Sequence, residues 1–148
     1  MDAEVVTQIR KLSQVYAYTS IQMHEAIGRQ AGLSGTDHKY LGFLLQQGEM
    51  TAGELASLSG LTTGAVTGLI DRLEKKKLVK RQFAADDRRK VMIVPDTKKI
   101  MALLEPLYRE FRSQSAQLIA SFSGKELKVL EKYFSKAIDI MNETTNKL

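Results

Sequence analysis

Residues 51–76 read TAGELASLSGLTTGAVTGLIDRLEKK, and spacing alone picks out two helix starts in them. Thr51 stands three residues before Glu54. This is the capping-box arrangement, in which a hydroxyl and a carboxylate satisfy the first free N–H groups of a helix. Leu55 and Leu58 then face inward, and Ser59-Gly60-Leu61 makes a tight turn. Thr62 or Thr63 caps a further helix. In it Val66, Leu69, Ile70 and Leu73 fall at i, i+3, i+4 and i+7, a single buried stripe. Two short helices joined by a glycine turn form a helix-turn-helix.

Downstream of this motif the period changes. Val79-Lys80-Arg81-Gln82-Phe83 alternates, as does Lys90-Val91-Met92-Ile93-Val94, with a polar, charged connection between them, so the pair reads as a β-hairpin with an extended tip. Upstream, Val5, Ile9, Leu12, Tyr16, Met23 and Ile27 give one long helix that runs out near Gly32. Thr36 is expected to cap the next helix, with Asp37 in its first turn and Gly48 at its end. After the hairpin, Asp96 or Thr97 restarts helix, which Pro106 should kink or divide. Ser123 and Glu126 form a second capping box that opens a last helix. The expected class is mainly α with a small β-hairpin wing.

Charge separates the middle of the chain from its ends. Between Thr62 and Pro95 nine basic side chains face four acidic ones, whereas the other 114 residues hold thirteen of each. The whole excess of +5 thus lies in one short stretch, as a phosphate-facing surface requires. Hydrophobic residues make up 43% of the chain, enough for a core, but no apolar run reaches the ~18 residues of a membrane span. The first ten residues carry Asp2 and Glu4 and lack an apolar signal core, so a cytoplasmic location is expected. The absence of cysteine removes disulfides, thiolate metal sites and thiol chemistry. With His24 and His38 as the only histidines, no metal or other cofactor is expected. There is no phosphate loop, dinucleotide glycine motif or serine elbow, which argues against an enzyme. The hairpin also lacks the aromatic platform of RNA-binding sheets, since Phe83 stands alone.

Three groups of residues carry the chemistry. On the second helix of the motif, Thr63, Thr67 and Asp71 share an outer line, with Gly64 and Gly68 beside them. Each glycine costs a helix about 1 kcal/mol relative to alanine, a cost that makes sense where a groove floor must approach the backbone. The threonine hydroxyls can meet base edges or phosphates. In the hairpin tip, Asp86-Asp87-Arg88-Arg89-Lys90 mixes signs. A carboxylate there can aim one arginine into a narrow minor groove. Arg72, Lys75, Lys76, Lys77, Lys80 and Arg81 fit nonspecific phosphate contacts. The expected DNA-binding residues are Thr62, Thr63, Gly64, Ala65, Thr67, Gly68, Asp71, Arg72 and Lys75 on the helix, and Asp87, Arg88, Arg89 and Lys90 on the wing. The terminal helices, long and apolar on one face, are expected to pair between two copies of the chain.

The segments 50–56, 60–67 and 70–74, followed by Leu78-Val79 and Asp87-Arg88-Arg89-Lys90, resemble the MarR family of bacterial regulators. The resemblance spans roughly residues 36 to 95, and the flanking helices match in order and length. It implies a winged helix-turn-helix lobe over 36–96 and dimerisation helices over 1–35 and 97–148. It also implies a homodimer on a short palindromic operator in double-stranded DNA, with repression as the usual output. Arg89, paired with Asp87, is the residue implied to enter the minor groove. A small aromatic or anionic effector is implied in a cleft between the first helix, the Thr36 helix and the long Ile100 helix. Two positions depart from the family pattern: Gly68 stands where relatives carry a larger side chain, and Pro95 where threonine is frequent.

Overall fold

The computed structural model describes residues 2–148, and these form six helices and three short strands. Asp2 opens α1 (Ala3–Gln30) by accepting from the Glu4 N–H at 2.9 Å. The helix closes on Gly32 at φ 78°. The Gly32 N–H turns back to the Arg29 carbonyl and the Leu33 N–H to that of Gly28. Glycine takes this left-handed closing position without a Cβ clash.

The next helix, α2 (Gly35–Gln47), starts earlier than its sequence led us to expect. Ser34, not Thr36, is the cap, its hydroxyl accepting from the Asp37 N–H at 3.1 Å. This places Asp37 at the third helical position, where it is 2% exposed. Strand β1 (Met50–Thr51) follows, and the Thr51 hydroxyl then caps α3 (Ala52–Ser59) by accepting from the Glu54 N–H. Thr62 caps α4 (Thr63–Lys75) through the Ala65 N–H. The hairpin is β2 (Val79–Phe83) and β3 (Val91–Pro95), joined by residues 84–90 and closed by the Ala84 N–H on the Lys90 carbonyl.

The sheet has three strands, not two. β3 lies in the middle, antiparallel to both β2 and β1, with Met50 opposite Ile93 and Thr51 opposite Met92. A two-residue strand carries no alternation, so β1 had no sequence signal. The anticipated stripe of Val66, Leu69, Ile70 and Leu73 is buried. It packs into a core with Leu41, Leu44, Leu55, Leu78, Val79, Ile93 and Ile100.

Asp96 starts α5 (Thr97–Ala120), its carboxylate accepting from the Lys99 N–H. Pro106 lies inside this helix without dividing it, so of its two expected effects the division is absent. Contacts divide the chain into one unit up to Leu107 and another from Tyr108 onward. In the second unit the anticipated box opens α6 (Gly124–Lys147). Both of its bonds are present, Ser123 N–H to Glu126 at 2.8 Å and Glu126 N–H to Ser123 at 3.2 Å. No residue of α6 is buried, and Val129, Tyr133, Phe134, Ile138, Ile140 and Met141 lie open on it. In the first unit α1 likewise exposes Val5, Ile9, Leu12, Val15, Tyr16, Tyr18 and Ile21. Among the described residues no helix is long and apolar enough to cross a membrane.

Two local features make stability testable. Lys77 closes α4 at φ 60°, with its N–H on the Glu74 carbonyl and the Leu78 N–H on that of Leu73. This is the glycine position of a helix end occupied by a residue with a Cβ. The conformation costs about 1 kcal/mol. Lys77→Gly is therefore expected to stabilise the fold by up to roughly 0.5 kcal/mol in denaturant titration, after the extra freedom glycine gives the unfolded chain.

The second feature lies between α1 and α2. A Cβ on Gly28 would sit 2.8 Å from the His38 Cβ, so the glycine is what admits the imidazole. The ring stacks on His24 with centroids 6.1 Å apart. Burial pushes His38 below its ordinary 6.5, and the charge of His24 pushes it further down. The fold thus favours neutral His38, while the unfolded chain takes up the proton at about 6.5. Stability should be unaffected by this group above that pH and decline as pH falls through it. Melting curves of His38→Gln are expected to show a weaker decline over that range.

Candidate nucleic-acid interface

The outer face of α4 is made by what its buried stripe leaves over. Thr62, Thr63, Gly64, Ala65, Thr67, Asp71, Arg72 and Lys75 are exposed there, with Gly68 half-buried. The Thr67 hydroxyl donates to the Thr63 carbonyl at 3.0 Å, which leaves its oxygen free to accept from an outside donor. A Cβ on Gly64 would meet nothing within 4 Å. No internal contact therefore requires glycine at this position, and an outside surface can come close to the backbone. Gly68 is different, because a Cβ there would stand 3.3 Å from Nη1 of Arg72.

Arg72 does not extend outward as a lone cation. Its Nε donates to Asp37 Oδ2 at 2.9 Å and its Nη2 to Oδ1 at 2.8 Å, a two-pronged pair joining α4 to α2. The bond to Asp37 raises the affinity of the guanidinium for its proton. Asp71 and Glu74 together hold Arg81 of β2, at 2.7 Å each, and the Arg81 N–H also donates to Glu74 at 3.1 Å. Lys76 reaches back to the Gly32 carbonyl at 3.1 Å. Local spacing could not have shown the Arg72 partnership, since Asp37 lies 35 residues earlier. Three of the cations expected to meet phosphates thus have partners within the protein. Lys75, Lys77 and Lys80 stay exposed around them.

The wing tip is organised around one carboxylate. Asp87 accepts from the Arg89 backbone N–H at 2.9 Å, from its Nε at 3.1 Å and from its Nη2 at 3.3 Å. These side-chain and then backbone bonds hold the Asp87 carboxyl below the usual carboxylate range. The Arg89 side chain is nevertheless 90% exposed, so it is both oriented and available. Arg88 lies over the Phe83 ring at 5.8 Å, a contact that sequence reading missed. Lys90 is exposed beside them.

A small cavity of about 220 Å³ lies among Ala31, Leu78 and Leu103, rimmed by Lys76 and Lys99. It touches the end of α1, the end of α4 and the early turns of α5, but not α2. A larger open groove, about 630 Å³, runs along the wing root beside Lys77, Lys80 and Lys98. Among the described residues no cluster of three or more His, Cys, Asp or Glu is placed to hold a metal ion.

Comparison with known proteins agrees with this architecture. The sequence profile of the MarR family matches residues 31–90. The HTH-type transcriptional regulator YcgE of Bacillus subtilis is 38% identical over 129 residues, covering 87% of this chain and 83% of its own. A MarR family protein from Bacillus stearothermophilus superposes with a TM-score of 0.73 at 25% identity, over 96% of this chain and 99% of the other. A mutant MepR of S. aureus, solved bound to an oligodeoxyribonucleotide, shares the fold with a TM-score of 0.60 at 22% identity, over 90% and 97% of the two chains. With its winged helix-turn-helix and with a regulator 38% identical along most of its length, the chain belongs to the MarR family of transcriptional regulators.

Proposed function

We propose that this regulator is a homodimeric, sequence-specific repressor that binds a palindromic operator in double-stranded DNA and is released by a small effector. The observation that carries this reading is Arg89, whose guanidinium donates two hydrogen bonds to Asp87 and whose backbone N–H donates a third, yet whose side chain is almost fully exposed. Such a side chain has lost much of its freedom before any partner arrives, and ordering it on binding costs correspondingly less. A narrow minor groove, with its concentrated negative potential, is the surface this finger fits. The bare backbone at Gly64 and the acceptor at Thr67 suit the major groove, where α4 would read bases. In this reading Lys75 and the exposed lysines around it supply phosphate contacts.

The open apolar faces of α1 and of α6, each taken by itself, support pairing between copies, since a monomer rarely leaves so many large apolar side chains of a helix in water. Residues 1–35 and 97–148 would form that interface and 36–96 the DNA-reading lobe. Two lobes related by a two-fold axis read two half-sites, hence the palindrome. The cavity rimmed by Lys76 and Lys99 over an apolar floor fits a small aromatic anion. Repression follows the usual output of the family, and the place of action is the cytoplasm.

Selection of bound sequences from random duplex DNA at controlled salt tests the whole reading. A recovered palindrome gives the half-site spacing and the dimer symmetry together, and recovery of no preferred sequence would overturn the specific reading. Release of that complex by aromatic carboxylates such as benzoate tests the effector. Arg89→Ala is expected to weaken binding to the selected duplex by about tenfold or more while leaving melting temperature and dimerisation unchanged. Gly64→Ala separates folding from function. It should stabilise α4 by up to about 1 kcal/mol, because nothing crowds the added methyl, and should weaken operator binding, because the groove floor no longer reaches the backbone. Tighter or equal binding by this variant would remove the close approach from the mechanism.

A further inference from the structure

We propose that Arg72 and Arg81 are positioning residues, struts that set the pitch of α4 against α2 and of the wing against α4, and not phosphate contacts. This rests on the DNA-binding reading above and adds to it the devices that hold its two reading elements at a fixed angle.

The first strut is built on a carboxylate that has left water. The Asp37 side chain is 3% exposed, in the first turn of α2, and Arg72 meets it with two parallel N–H donors. Parallel donation fixes direction as well as distance, because rotating the planar guanidinium breaks both bonds together. Arg72 is on α4, so a turn of that helix about its own axis would pull this pair apart. Gly68, one turn earlier, leaves room for the guanidinium to lie back against its own helix. The glycine that departs from the family pattern thus has an internal partner.

The second strut joins α4 to the wing. Asp71 and Glu74 stand three residues apart and so share one face of the helix. Arg81 of β2 bridges them, one terminal nitrogen to each, and its backbone N–H binds Glu74 as well. Two carboxylates surround one guanidinium, so the trio carries a net negative charge. A phosphate approaching it would be repelled, and Arg81 would have to abandon both partners to meet that phosphate. The contrast with Arg89 is direct. Arg89 has one acid for a partner and 90% exposure, whereas the Arg81 side chain has two acids and 32% exposure.

A strut and a phosphate contact differ in the sign of one effect. Removing the acids by Asp71→Asn with Glu74→Gln strips negative charge from the DNA-facing lobe. If Arg81 were a phosphate contact, that change would free it and tighten binding. If Arg81 is a strut, the change should cost about tenfold in affinity for the selected duplex, as Arg81→Ala does. Affinity for a mixed-sequence duplex should not fall with it, and the slope of log K against log salt should not become shallower. A slope shallower by about one, with equal losses on both duplexes, is the signature of a lost phosphate contact and would overturn the proposal. Arg72→Ala and Asp37→Asn are expected to behave alike by the same measures. Should Arg72→Ala fail to fold with a bare carboxylate inside it, Asp37→Asn with Arg72→Gln removes both charges and keeps the comparison.

A measurement without DNA keeps the two readings apart. The natural chain has no cysteine, so Ala65→Cys and Ala85→Cys place spin labels on α4 and on the wing tip alone. Diluted with unlabelled protein, the labelled chain should give a narrow distance distribution that broadens with Arg81→Ala. An unchanged distribution would overturn the strut even if DNA binding stands. Broadening in a protein that ignores every duplex would keep the strut and remove the DNA-binding reading.

Discussion

A single carboxylate withdrawn from water governs the placement of α4. Asp37 sits in the first turn of α2, where the free N–H groups of the helix favour negative charge, but burial would be costly for it without a cationic partner. Arg72 supplies that partner from α4, in the two-pronged geometry that best offsets the lost hydration. The hydrophobic stripe of Val66, Leu69, Ile70 and Leu73 brings α4 onto the core, but apolar contact is non-directional and tolerates sliding. The ion pair removes that tolerance. Packing gives adhesion here, and the polar pair gives orientation.

The same division of labour runs through the charge distribution. Sequence counts place the whole positive excess between Thr62 and Pro95, and it is natural to read every cation in that window as facing phosphate. The folded chain sorts them. Arg72 and Arg81 turn inward to carboxylates, Lys76 ties the end of α4 to the Gly32 carbonyl, and Arg88 lies over Phe83. Lys75, Lys77 and Lys80 remain on the surface, and Arg89 stands out from the wing. A basic stretch therefore contains internally partnered and exposed cations side by side, and charge alone does not tell them apart.

What was legible in the sequence had a short range. Thr51 with Glu54, Ser123 with Glu126 and Asp87 with Arg89 are partners two or three residues apart, and each pairing appears in the fold. The buried stripe of α4 follows from a period that chain geometry imposes. Misreadings arose where a local rule met a wider context. Thr36 has the side chain of a cap, but the three-residue step from hydroxyl to the Asp37 N–H selects Ser34. Strand β1 exists only because β3 is there to pair with it. The two struts bring together residues seven, ten and thirty-five positions apart, beyond what a window of spacing can see.

Because β3 lies between its neighbours, the hairpin is rooted rather than hung. Its inner end is held on one side by Val79 and Lys80 and on the other by Met50 and Thr51, and Thr51 also caps α3. Only residues 84–90 lie beyond that anchorage. Insertions or deletions there would alter the reach of the finger without shifting the register of any strand. A lineage could thus vary how far the tip extends by editing one loop, while the angle of the wing against α4 is inherited intact.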